Sequence, residues 1–178
     1  MGAFNVMAKR VSVRKYKKKA VPRMWVKKIV DAGRRAPTAM GVEPWEFVAV
    51  TKKEIVRKLG EEVAPCHFVK DAACCILVFC KETKYYLEDG CAATENMLLA
   101  AADLGLGGCW IAGEKEPWGK GLYGLLKMPK RFHWVSMVAL GWPDENVKQK
   151  RNRSLREVLH WETFRSKRQG SAGRKGNL

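Results

Sequence analysis

Arg10, Ser12 and Arg14 occupy alternate positions in the segment RVSVRKY. An extended chain sends alternate side chains to one side, so two guanidinium forks would there flank a hydroxyl. Arginine grips phosphate bidentately and serine can donate to a further oxygen, so this spacing describes a clamp for a phosphomonoester or a nucleotide. A solvated basic arm is the plain alternative. Arg151 and Arg153 repeat the pattern in KRNRSL and would add charge to the same phosphate if the two ends of the chain meet.

Other chemistries find little support. There is no P-loop, no Gly-x-Ser-x-Gly elbow and no HExxH, and the glycines of LGLGGCWIAG follow a helical pattern rather than a strand, which is the wrong order for a dinucleotide fold. His67, His133 and His160 are scattered, and the six cysteines form no CxxC pair, so neither a zinc site nor a Ser-His-Asp triad assembles. Reduced, buried thiols are the better reading, with Cys109 as filler rather than redox partner. A phosphate clamp with few catalytic side chains suits a cofactor that carries its own chemistry.

These residues need a scaffold, and the hydrophobic pattern supplies one. The spacing of Trp25, Val26, Ile29 and Val30 predicts a helix from Val21 to Ala36, ended by Pro37. Trp45 to Thr51 reads as a strand and Lys53 to Val63 as a polar helix. Ala73 to Cys80, a continuous apolar run, reads as a central strand covered on both faces. Tyr85 to Leu104 has the longest helical pattern, and its alanines would let another helix approach. Gly108 to Gly113 is a short buried strand, Trp118 to Lys127 a helix and His133 to Trp142 a fourth strand. The remainder is an arm. Interleaved helices and strands around one core give a single layered α+β or α/β domain.

The charge balance is lopsided: 34 Lys and Arg against 18 Asp and Glu, formally +16, concentrated at the two ends. Attraction to anions follows. The longest apolar stretch, nine residues from Ala72 to Cys80, is less than half of the roughly 20 that a spanning helix needs. With no secretion signal in the basic first twenty residues, the expected address is cytoplasmic, with no membrane partner.

Several ordered segments together resemble the FMN-dependent nitroreductase family: RVSVRKY, RRAPTAMGVEPWEFVAV, AATENMLLAAADLGLGGCWIAG, LLKMPKRFHWVSMVALGWPDE and RNRSLREVLHWE. The resemblance runs from about Lys9 to Trp161. It implies an α+β sandwich with a mixed, mainly antiparallel central sheet flanked by helices. It also implies a homodimer with FMN at the subunit interface and exchanged C-terminal arms. Residues 1–163 would form that one domain, and 164–178 a basic tail.

By the same resemblance Arg10, Ser12 and Arg14, with Val11 backbone, would hold FMN, and Arg151 with Arg153 would bind its phosphate. Pro37, Thr38, Ala39, Met40, Gly41 and Glu43 would lie against the flavin of the partner protomer. Trp110, Ile111, Ala112 and Gly113 would run near its reactive edge. Gly41 and Glu43 stand where the family often has Asn and Gln, and Glu43 would bring a carboxylate towards the flavin.

The activity implied is ping-pong electron transfer from NADH or NADPH through FMN to a small electron-poor acceptor such as a nitro compound, quinone or flavin. No side chain is then assigned as catalytic, because the chemistry belongs to flavin N5. A reductive dehalogenase-like or flavin-modifying enzyme on the same scaffold is one alternative. A basic nucleic-acid-binding protein is another, disfavoured because no RRM, KH or zinc-finger pattern is visible.

Overall fold

The structure, a computed structural model, describes residues 2–64 and 66–164. Helices α1 (Ala3–Lys9) and α2 (Arg23–Gly33) precede strand β1 (Trp45–Val50), followed by α3 (Lys53–Glu62) and β2 (Cys74–Lys81). The long helix α4 (Tyr86–Asp103), β3 (Gly107–Ala112), the single turn α5 (Leu122–Leu125), β4 (Phe132–Gly141) and the short α6 (Leu155–Val158) complete the order. The four strands form one sheet in the order β1-β2-β4-β3, with every neighbouring pair antiparallel.

Strand β2 is buried on both faces, as its unbroken apolar run requires. Cys74, Ile76, Val78 and Cys80 pack towards Val26 and Ile29 of α2 and Ala93, Met97 and Leu98 of α4. Cys75, Leu77 and Phe79 join Val56 and Leu59 of α3 and Leu122 of α5 on the other face. The result is three layers, helix on sheet on helix, and the burial that holds them contributes about 1.5–3 kcal/mol per large side chain. Burial also pushes the Cys74 and Cys80 thiols up to about 12, so they remain protonated filler.

One irregularity shapes the middle of the sheet. The β2–β4 register passes from Val78–Ser136 to Phe79–Trp134, leaving Val135 as an extra residue. Val135 then packs into the α4 layer, while the Ser136 hydroxyl lies 2.6 Å from that of Thr94 on α4, which donates to the Gly90 carbonyl at 2.7 Å. The bulge thus lets a buried polar pair be satisfied between helix and sheet.

Most expected elements stand within a few residues of their predicted bounds, with two differences. The helix expected over Trp118 to Lys127 is only α5, because the Gly119 backbone is left-handed (φ 86°) and the chain is held by Gly119 N–H on the Glu62 carbonyl, at 3.1 Å. Helix α1 was not expected. It lacks a side-chain cap and buries only Val6, so its sequence carries little periodic signal. The segment after Trp142 is, as expected, an arm rather than a strand, and the basic tail lies outside the described residues beyond Phe164.

Candidate functional site

The RVSVRKY segment is docked, not a solvated arm. It lies along the free edge of β3: Ser12 pairs with Gly108 in a parallel bridge, and Val13 N–H donates to the Gly108 carbonyl at 3.0 Å. Buried Tyr16 then pairs with Pro143, its hydroxyl 2.6 Å from the Val13 carbonyl and 3.2 Å from that of Ala139. Burial pushes this phenol well above its ordinary range, so it stays neutral.

The approach to β3 is close because position 107 has no side chain. A Cβ at Gly107 would sit 2.7 Å from the Val13 Cβ. We therefore expect Gly107→Ala to push the clamp segment off the edge, at about 1–3 kcal/mol, and to lower cofactor retention. Comparing the thermal midpoint and bound flavin of the purified variant with those of the parent checks this.

The C-terminal segment completes the anchorage. The Glu145 carboxylate accepts the backbone N–H groups of both Arg14 and Lys15, and the Gln149 amide donates to the Met7 and Arg10 carbonyls at 3.2 and 3.1 Å. The N–H of Arg14 foremost, and then that of Lys15, holds the Glu145 carboxyl below its usual range. A carboxyl so depressed stabilises the fold above its unfolded value of about 4.3, and that contribution is lost as pH falls through the lower folded value. Glu145→Gln should therefore reduce amide-exchange protection at Arg14 and Lys15 near neutral pH, whereas the parent should lose it only below about pH 4.

Val13 is buried in the core and Val11 packs against it, so the alternate residues Arg10, Ser12 and Arg14 are turned away from that core. Ser12 bridges to Gly108, next to Cys109 on β3, and Arg14 foremost, then Ser12 and Arg10, favours the charged form of that thiol. Burial outweighs them and keeps the Cys109 thiol above its ordinary value. Arg14 is exposed, its guanidinium 5.8 Å from the Phe68 ring centroid, and Arg10 faces only a long contact of 3.9 Å to Glu95. Two guanidinium groups and a hydroxyl on one short docked segment are a donor set that fits the phosphate and polar chain of FMN.

The 37–43 loop stands elsewhere. It leads into β1, the opposite edge of the sheet from β3 and the clamp. Asp89, buried in the first turn of α4, accepts the Thr38 hydroxyl at 2.9 Å and the Ala39 N–H at 3.0 Å, and Thr38 in turn accepts the Glu43 N–H at 3.0 Å. Met40, Gly41 and Glu43 all hold left-handed backbones, at φ 55°, 66° and 49°. Pro37, Met40, Gly41 and Glu43 are exposed while Thr38 and Ala39 are half-buried, so the loop is pinned at its base and presented at its tip.

At the end of β3, Ile111 and Gly113 are buried, Trp110 is half-buried and Ala112 is exposed. A Cβ at Gly113 would meet the Trp134 carbonyl at 2.5 Å, so this turn admits only glycine without movement. Beside it, Tyr86 donates to Glu114 at 2.6 Å and stacks on His133, with ring centroids 4.4 Å apart. That bond to Glu114 pushes the Tyr86 phenol up to about 12.

Arg151 and Arg153 follow two and four residues after Gln149, so the arm does reach the clamp's backbone. Their own hydrogen bonds are local: Arg151 to the Lys150 carbonyl at 3.5 Å and Arg153 to the Glu157 carbonyl at 2.8 Å. Sequence reading overlooked Asp89, Glu145 and Gln149. Asp89 could have been sought as an acid inside an otherwise apolar helical pattern; the other two carry no local signal.

Comparison with known proteins agrees with this geometry. The model of the Nitroreductase family matches residues 7–80 and 67–142. A Methanothermobacter thermautotrophicus protein provisionally named NADH dehydrogenase/NAD(P)H nitroreductase is 34% identical over 152 residues, covering 82% of this chain and 80% of the relative. An NADPH-dependent oxidoreductase of Staphylococcus saprophyticus is 24% identical over 180 residues, covering 88% of this chain and 72% of its own. The solved FMN-dependent nitroreductase of Clostridium difficile superposes with a TM-score of 0.84 at 27% identity, over 90% of this chain and 99% of that one. On the family match across the sheet, the clamp and the loop, this chain belongs to the nitroreductase family.

Proposed function

We propose that the protein works by a ping-pong cycle, taking electrons from NAD(P)H and passing them through FMN to a small electron-poor acceptor such as a nitro compound or quinone. That it is an FMN-dependent NAD(P)H oxidoreductase rests on its family and on the names of its relatives. FMN, when bound, supplies the hydride chemistry.

The chain's own residues bind and orient. Arg10, Ser12 and Arg14 would hold the phosphate and polar chain, and the positive charge of Arg14 would favour negative charge on the ring. Arg151 and Arg153 bring further charge to the phosphate from the arm. Backbone from Trp110 to Gly113 would run near the reactive edge, its β3 part fixed by the ladder to β4 and hence rigid.

The single observation that carries this reading is the docking of the Arg10–Ser12–Arg14 segment on the edge of β3, with Val11 and Val13 turned to the core. A twofold partner is part of it. The clamp and the 37–43 loop lie at opposite edges of one sheet, so a loop over the flavin has to come from a second copy. Phe4, Leu155, Trp161 and Phe164 on α1 and the arm are 70–86% exposed, a large apolar surface of the kind a homodimer buries.

The test is direct. Purified protein should be yellow, release a cofactor of FMN mass and sediment as a dimer. Stopped-flow mixing with NADH or NADPH should bleach the flavin in a half-reaction separable from reoxidation by acceptor. Colourless protein that takes up no FMN, or a stable monomer that retains it, overturns the reading.

A further inference from the structure

A second concentration of positive charge adjoins the segment that carries Arg14. Two adjoining grooves of about 540 and 490 Å³ share Lys18, Lys53 and Asp71 in their walls. Lys17, Lys18 and Lys19 form one wall, Lys53 and Arg57 of α3 another, and Lys70 closes the far end. All six are exposed. Glu61 and Asp71 are the acids in those walls, and neither forms an ion pair with any of the six.

The fold concentrates these cations. Lys17 N–H on the Trp142 carbonyl, at 2.9 Å, ties the lysine run to the end of β4. Lys53 and Arg57 are one helical turn apart and so share a face. Gly60 lets the 67–71 turn lie directly on α3: a Cβ there would be 2.7 Å from the Lys70 nitrogen. Six like charges are thereby held along one trough in water, where each raises the cost of its neighbours until an anion neutralises them.

We propose that this trough binds a linear polyphosphate chain, an extended run of consecutive phosphates without bases. The charge demands an anion, and the two joined grooves demand an extended one. Stacked bases would need open aromatic faces, and of the rings in these walls only the small imidazole of His67 is exposed. Tyr16 is buried with its hydroxyl engaged, and Trp142 carries Lys19 Nζ 4.1 Å from its centroid and Trp25 at 5.4 Å. The trough meets the clamp only at Arg14, and the apolar surface of α1 and the arm takes no part in it. Of the residues expected to hold FMN the trough shares only Arg14, and the variants that test the trough leave Arg14 in place.

The experiment is titration of the FMN-loaded protein with fluorescently labelled polyphosphate of defined length, read by anisotropy at 50 and 200 mM salt. Neutralising about five phosphates should cost about 100-fold in affinity across that range. The triple variant Lys18→Glu, Lys53→Glu, Arg57→Glu should lose at least about tenfold in affinity and flatten the salt slope, with flavin content and thermal midpoint unchanged. Should that variant fold poorly, the Gln triple gives the same reading at smaller amplitude. Unchanged affinity in the folded variant overturns the proposal. So does tighter binding of a single-stranded RNA of equal phosphate number, or full competition by equimolar 2′,5′-ADP, which would assign the trough to a nicotinamide donor.

Discussion

Replacing Arg10 and Arg14 together by Ala is expected to yield a folded, colourless protein. Charge-assisted hydrogen bonds contribute about 1.5–3 kcal/mol each, so either single change should weaken FMN binding about 10- to 100-fold. The two side chains lie four residues apart on one docked segment and on the proposed reading share one ligand, so their effects need not add, but the double variant should fall at least about 100-fold. Stability should change little. Arg14 is exposed and Arg10 makes only the long contact to Glu95, while the segment's anchorage runs through backbone bonds and Val13. Flavin-fluorescence titration and a thermal melt separate the outcomes. Retention of FMN at parental affinity would dissolve the clamp, and a collapsed melt would show that the arginines hold the fold instead.

Asp89→Ala should do the reverse, damaging stability first and function through it. The carboxylate is 4% exposed and accepts two donors from the 37–43 loop. Its removal leaves the Thr38 hydroxyl and Ala39 N–H without their acceptor, at about 1–3 kcal/mol per group. Met40 and Glu43 add to the consequence, because left-handed backbone at non-glycine residues persists only where its surroundings impose it. A fall of about 2–4 kcal/mol corresponds to about 5–10 °C in the melting temperature of a domain this size. Asp89→Asn keeps an acceptor for Ala39 and should lose about half as much. If the loop covers the partner's flavin, FMN should also dissociate faster from the Ala variant in proportion to loop disorder. An unchanged melt and off-rate would make Asp89 a bystander.

Glu145 and Asp89 show why the candidate site was only half legible in the sequence. The proposed clamp is legible as a spacing of Arg10, Ser12 and Arg14 because alternation along an extended chain is a local property. What holds it is not, since the bond from Arg14 N–H to Glu145 spans 131 residues. Likewise Thr38 and Asp89 are 51 residues apart, and nothing in either neighbourhood announces the other. The arm's arginines were legible as a charge pattern, but their described contacts are local, and the role proposed for them depends on a ligand and a second chain.

The sequence by itself determined the layers: the apolar run of β2 required cover on both faces, and the long pattern of α4 required a sheet beneath it. It also set where α4 stops, for Gly105 takes a left-handed backbone at φ 77° that other residues adopt at a cost. Only the tertiary structure decided that β3, not β1, would be the edge receiving the N-terminal segment, and that Val135 would bulge. It alone brought six cations from three segments into one trough. Periodicity and turn chemistry act between near neighbours along the chain. Strand order, bulges and the meeting of distant charges are set by which apolar faces can be buried together, a competition that involves the whole molecule at once.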